Sequence, residues 1–170
     1  MEWYARNMGK GVFTYTKDWA GFNLPGEYIF SVHKEGIQDP NRYDKLMLSL
    51  AEFICSKEDN KTDFYIIGTS QEDTDLKSTF NHELAHGMFY TDEKYKTKMT
   101  ALVNALPNKT KNFIFKKLKK CGYSDEFFID ETQAYLSTGL IPEFNKPMVE
   151  QEVPKFEKLF KKTSGRLKKR

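Results

Sequence analysis

Two histidines four residues apart, His82 and His86, with Glu83 directly after the first, place the strictest demand on this 170-residue chain. If both rings serve one purpose, the segment Asn81–Gly87 has to be helical, because positions four apart on an α-helix project from one face, one turn above the other. Two imidazole nitrogens aimed at one point suit a tetrahedral Zn²⁺, which takes nitrogen ligands at about 2.0–2.1 Å. Glu83 is turned about 100° around the same helix. Its carboxylate then falls beside the ion's open position, where a bound water sits. Two neutral ligands with an adjacent base are the arrangement for metal-assisted hydrolysis. The chain has three histidines, His33, His82 and His86, so the H-E-x-x-H spacing is not the by-product of a histidine-rich sequence.

A chain of this length fits one domain with a core of its own, and 14 Phe and 9 Tyr supply the material for it. We expect that domain to span 1–163, with 164–170 a basic, disordered tail. A net charge of +3 does not by itself call for nucleic acid or an anionic membrane. Cys55 and Cys121 fall in different expected helices and in no C-x-x-C spacing, which reads as reduced core thiols. Met1–Arg6 carries an acid at once and no apolar run of signal-peptide length, and no apolar stretch approaches about 18 residues. The expectation is a cytoplasmic protein with no membrane span.

Taken in order, Gly11–Thr16 is rich in β-branched and aromatic residues and reads as a strand. A turn-prone stretch follows, ending at Asn23–Gly26, and Glu27–His33 alternates polar with apolar, the strand period. His33 there reads as a surface or packing residue. Asn41 suits an N-cap, and Leu46, Leu50, Phe53 and Ile54 recur at helical spacing over 41–57. Asp63–Ser70 reads as a short buried strand whose edge could hold an extended peptide beside a metal site. Asp73 or Asp75 caps the next helix, 75–91, with Leu76, Phe80, Leu84 and Met88 on a core face and the histidines opposite. Helices follow over 93–106, over the lysine-rich stretch to Lys120, over 125–138 with Ser124 as cap and Gly139 as stop, and over 153–163; 140–153 reads as a loop. The fold class is α+β: a small N-terminal β-sheet followed by a mostly helical half that carries the active-site helix.

A catalytic zinc takes a third protein ligand. On the 125–138 helix, Phe127, Phe128, Glu131, Ala134, Tyr135 and Thr138 form one stripe, while Glu126, Asp130, Gln133 and Ser137 fall on the other arc. Glu131 is therefore a carboxylate on an apolar face, which is costly without a cation or donor. Asp92, six residues after His86, is the rival ligand. Zincins that close the site so soon place Gly at the third residue after the second histidine, and here that residue is Phe89.

His82-Glu83-Leu84-Ala85-His86, followed 45 residues beyond His86 by Glu131 within Asp130–Tyr135, resembles the gluzincin-type zincin metallopeptidases. The resemblance covers the two helices and the strand before the first. It implies a zincin-like domain in which His82, His86 and Glu131 hold Zn²⁺ and Glu83 is the general base for peptide-bond hydrolysis by a zinc-bound water. Tyr135 and Tyr123 are the candidate oxyanion stabilisers. Tyr90 is a candidate pocket wall, and Asp130 a candidate partner for a ligand histidine, although its polar arc argues against it. The substrate would be a peptide or protein. One alternative is a non-catalytic zinc-binding protein that acts through a partner. A weaker one is an anionic-surface binder using Lys116–Lys120 and the basic C-terminus, with no specific nucleic acid expected.

Overall fold

Asp75 starts the helix that carries the two histidines. Its carboxylate accepts the Ser78 backbone N–H at 3.3 Å, and helix α3 runs from there over Leu76–Thr91. The computed structural model describes Arg6 and residues 10–11, 21–34, 40–57, 63–70 and 73–167, without the side chains of Val32 and His33. The described elements are β1 (Gly21–Pro25), α1 (Gly26–Lys34), α2 (Arg42–Lys57), β2 (Tyr65–Thr69), α3, α4 (Glu93–Asn104), α5 (Asn108–Lys120), α6 (Phe128–Thr138), α7 (Pro147–Glu150) and α8 (Val153–Leu167). Single 3₁₀ turns at Asp125–Phe127 and Pro142–Phe144 precede α6 and α7. Strands β1 and β2 pair antiparallel, with Gly21 opposite Thr69 and Pro25 opposite Tyr65. The class is mixed, mostly helical, with a small two-stranded sheet before the site helix. Among the described residues, no helix is long and apolar enough to cross a membrane.

The helical half follows its sequence periodicity closely. Tyr95, Met99 and Val103 of α4, Ile114 and Leu118 of α5, and Phe156 and Phe160 of α8 are all buried in one core with Ala85 and Met88 of α3. Phe144 and Val149, from the segment expected to be a plain loop, are fully buried in the same core. Burying a side chain of this size contributes about 1.5–3 kcal/mol, which holds that segment down as two short helical turns. Helix α8 runs through Leu167, past the expected end at 163, and 168–170 lie outside the described residues.

The N-terminal half departs from the sequence expectation over Glu27–His33, in the turn before it and in the buried face of α2. Apart from Gly11, the strand expected over Gly11–Thr16 lies outside the described residues. Glu27–His33 is not a strand: α1 begins at Gly26 and takes in that stretch, while the expected turn at Asn23–Gly26 is mostly strand β1. Alternation over so short a run also fits one face of a helix, and Pro25-Gly26-Glu27 is a helix start, with the acid in the first turn complementing the helix dipole. Pro25 ends the strand, where its missing N–H is least needed, and the Gly26 N–H closes onto the Phe64 carbonyl at 2.8 Å. On α2, Asn41 does cap the helix, accepting the Tyr43 N–H at 2.7 Å. The buried residues there are Ala51 and Cys55, however, and Leu46, Leu50 and Phe53 are exposed. Cys121 is exposed too, so only one of the two cysteines is a core residue.

The faces of α3 and α6 also differ from expectation. Leu76 and Phe80 are 48% and 46% exposed, whereas Glu83 and His86 are buried, so the chemical face of α3 is an interior one. Helix α6 buries Gln133 and Ser137 of its expected polar arc, while Phe127 of the expected apolar stripe, in the turn before α6, is exposed. The reason is position: α6 packs on α3, α4, α5 and α8 at once, which leaves it almost no solvent side.

Asp92, the rival ligand, has a different task. It separates α3 from α4, and its Oδ1 accepts the Lys94 and Tyr95 N–H groups, each at 3.0 Å, as the N-cap of α4. Asp92→Ala should therefore lower stability by about 1 kcal/mol, as loss of such a cap does, and leave zinc affinity at the wild-type value. Urea unfolding and a chelator-competition titration check the two halves of that expectation separately.

Candidate metal centre

Helices α3 and α6 bring His82, His86 and Glu131 together. The two histidine Nε2 atoms are 3.2 Å apart, and the Glu131 oxygens lie 3.9 Å from His82 Nε2 and 3.8 Å from His86 Nε2. Two nitrogens bound tetrahedrally at about 2.0–2.1 Å would be separated by about 3.3–3.4 Å, so the imidazole pair already has the spacing of two ligands. Among the described residues this is the group of His, Cys, Asp and Glu side chains able to share one ion, with its ligand atoms all within 4.8 Å of one another.

The donor set fits a divalent cation on two further counts. Glu131 Oε2 is buried and accepts no hydrogen bond. Burial pushes the Glu131 carboxyl up to about 7, against the pull of the His86 charge. Oε2 therefore finds no donor among the side chains around it, and an ion between the imidazoles would give it a partner. His82 is pushed down to about 3 by burial and by the neighbouring His86, so it is neutral and ready to donate a lone pair. For His86, burial is the largest influence and acts downward. The Asp130 hydrogen bond and the charges of Asp130, Glu131 and Glu83 outweigh it and hold the ring up to about 9.

Asp130 corrects the sequence expectation most directly. Its Oδ1 lies 2.9 Å from His86 Nδ1, taking that ring's other N–H and leaving Nε2 for the ligand position. On His82 the corresponding nitrogen faces the Thr138 hydroxyl at 3.5 Å, a long contact. The ring of Tyr135 packs on His82 with centroids 4.6 Å apart, and the Tyr135 and Tyr123 hydroxyls are 3.3 Å from each other. Burial pushes both phenols upward, so each remains a proton donor near neutral pH. Tyr90 is not among the residues that line the cleft; it packs on Tyr65 at 5.4 Å. His33 lies in α1, and its side chain is outside the described residues.

The cleft over this cluster has a volume of about 420 Å³ and is bordered by β1 on one side and by Gly139, Leu140 and Ile141 on the other. Glu83 shares it. Asn23 of β1 donates its side-chain N–H to Glu83 Oε2, and the Tyr65 hydroxyl donates to Asn23 Oδ1 at 2.6 Å. β1 comes this close because Gly21 has no side chain: a Cβ there would sit 2.7 Å from Thr79 Cγ2 and 3.2 Å from Glu83 Oε1. Sequence reasoning missed Asn23, Tyr65 and Gly21 altogether. They reach the site through strand pairing, which no local pattern announces.

No model of a known protein family, no curated protein and no solved structure matches the chain.

At pH 7 the metal-free His86 ring is mostly protonated and Glu131 is about half protonated, given values of about 9 and about 7. Both must shed those protons to ligate. Zinc uptake at that pH should release between about one and two protons, and affinity should fall as pH drops from 9 through 7. Calorimetric titration in buffers of different ionisation enthalpy measures the release directly; uptake with no proton release would contradict this electrostatic picture.

Proposed function

We propose that this chain is a zinc-dependent metallopeptidase of the gluzincin type, with a zincin-like domain. In it His82, His86 and Glu131 are the metal ligands, Glu83 is the general base, and a peptide or protein is the substrate. The observation that carries the reading is the convergence of three ligand atoms from two helices in a cleft that also holds the Glu83 carboxylate. Three protein ligands are the complement of catalytic zinc sites, whereas closed structural sites use four. The cytoplasmic location expected from the sequence belongs to this proposal.

When bound, Zn²⁺ would supply a Lewis acid and bring the pKa of water toward about 7. The chain's own groups account for the rest. Glu83 receives a proton from the attacking water and passes it to the leaving amine, so one carboxylate acts first as base and then as acid. Asn23 restrains that carboxylate through its N–H. Asp130 keeps the His86 proton on Nδ1, so that Nε2 stays a lone-pair donor. Tyr135 and Tyr123 flank the cluster with paired hydroxyls, and one of them donates to the oxygen that gains charge on the substrate carbonyl. Phe22, Leu140 and Ile141 add apolar surface to the walls of the cleft.

Glu83→Gln keeps the size and hydrogen-bonding reach of the side chain but cannot take a proton. It should lower peptide hydrolysis by about 10²–10⁴-fold while about one equivalent of zinc stays bound. Glu131→Ala should instead lose the metal. Metal analysis of protein purified without chelators, run alongside cleavage of a fluorogenic peptide library, separates these outcomes. A zinc-loaded wild-type protein that cuts nothing across the library would defeat the peptidase reading, and a wild-type protein unable to bind zinc would defeat the metal centre.

A further inference from the structure

Behind the ligand cluster a second polar chain runs through the core, crossing three helices. It begins at Tyr95 of α4, whose hydroxyl donates to Gln133 Oε1 at 2.9 Å. Gln133 of α6 then donates from Nε2 to Asp130 Oδ1 at 2.9 Å and to the Ala85 carbonyl of α3 at 3.3 Å. The same Asp130 oxygen faces His86 Nδ1. Gln133 and Tyr95 are 0% and 1% exposed, so water cannot stand in for either one.

These contacts leave the Gln133 amide one orientation. Turned over, its oxygen would face the Asp130 carboxylate and the Ala85 carbonyl, two acceptors with nothing to donate. Held as it is, both its N–H groups and its oxygen are used, and the Tyr95 hydroxyl is obliged to be the donor. Asp130 by itself is partly exposed and free to rotate about its side-chain bonds. The Gln133 N–H picks out one of its oxygens and fixes it. Gln133 also grips the backbone of the residue just before His86, so ring and backbone are located by one amide.

Resting on the metal centre proposed above, we infer that Gln133, oriented by Tyr95, is a positioning residue for the metal. It locks Asp130, and through Asp130 holds the His86 ring with Nε2 turned toward His82 and Glu131. The residue touches neither metal nor substrate. Its effect is on how much of the ligand geometry exists before the ion arrives, and so on affinity and on the symmetry of the bound ion.

Gln133→Met keeps the volume and removes every hydrogen bond; Tyr95→Phe removes a single hydroxyl from an otherwise unchanged ring. Zinc affinity by competition with a chromophoric chelator, and the visible spectrum of the Co²⁺-loaded protein, are measured for wild type and both variants. Gln133→Met should weaken zinc binding by about 10–100-fold, Tyr95→Phe should weaken it several-fold in the same direction, and both should shift the Co²⁺ bands. Thermal unfolding of the metal-free proteins shows whether each variant folds, and Tyr95→Phe decides the matter if Gln133→Met does not. Wild-type affinity and an unchanged Co²⁺ spectrum in a folded variant would overturn the positioning role while leaving the metal centre standing. Failure of wild type to bind either ion would overturn the metal centre, and this inference with it.

Discussion

Helix α6 presses its first turns against the middle of α3, and the cleft's chemistry depends on that contact. Ala85 of α3 and Ala134 of α6 are both fully buried. The approach carries Glu131 to within 4 Å of both imidazoles and Asp130 to hydrogen-bonding distance of one of them. A larger side chain at either alanine would overpack the core and distort neighbouring rotamers. The apolar core of α4, α5 and α8 holds α6 from behind, so packing far from the cleft sets the position of the polar groups inside it.

The same contact creates an electrostatic problem that a folded chain rarely carries without a use. Three carboxylates, Glu83, Asp130 and Glu131, surround two histidines in one cleft. Burial raises Glu131; burial, with the His86 charge behind it, depresses His82; and the acids hold His86 up against its own burial. Neighbouring groups pushed to such different values mark a site arranged around charge rather than around packing alone. Asn23 and Gln133 answer part of it with neutral N–H donors to Glu83 and Asp130. Glu131 Oε2 is left with no donor. The divalent ion proposed above would be a common positive partner for these groups.

Much of the helical half was legible from spacing. The 3-and-4 recurrence of Tyr95, Met99, Val103 and Leu106, and of Phe156, Leu159 and Phe160, names the faces that do pack. Caps at Asn41 and Asp75 and the glycine stop at Gly139 could be read as residue types in place. Short segments were less legible. Five residues pairing with five others, as β1 and β2 do, carry too little pattern to separate a strand from a turn, and the alternation over Glu27–His33 served a helix instead. Periodicity also misjudged helices covered on several sides. It assigned Gln133 and Asp130 to water because they are polar, whereas α6 has neighbours on nearly every side that can satisfy polar groups internally.

Local sequence alone determined the H-E-x-x-H helix and the pairing of two imidazoles on one face; it picked out Glu131 by an apolar stripe, although the groups around that carboxylate in the fold are His82, His86, Asp130 and Tyr123. These readings follow from helix geometry, which fixes relative positions within a turn or two whatever the rest of the chain does. Only the tertiary structure decided that Asp130 rather than solvent meets His86, that Asp92 caps a helix, and that Asn23 and Tyr65 reach Glu83 across a strand pair. Those contacts join residues tens of positions apart, and their distances are set by how whole elements pack, which no local period encodes.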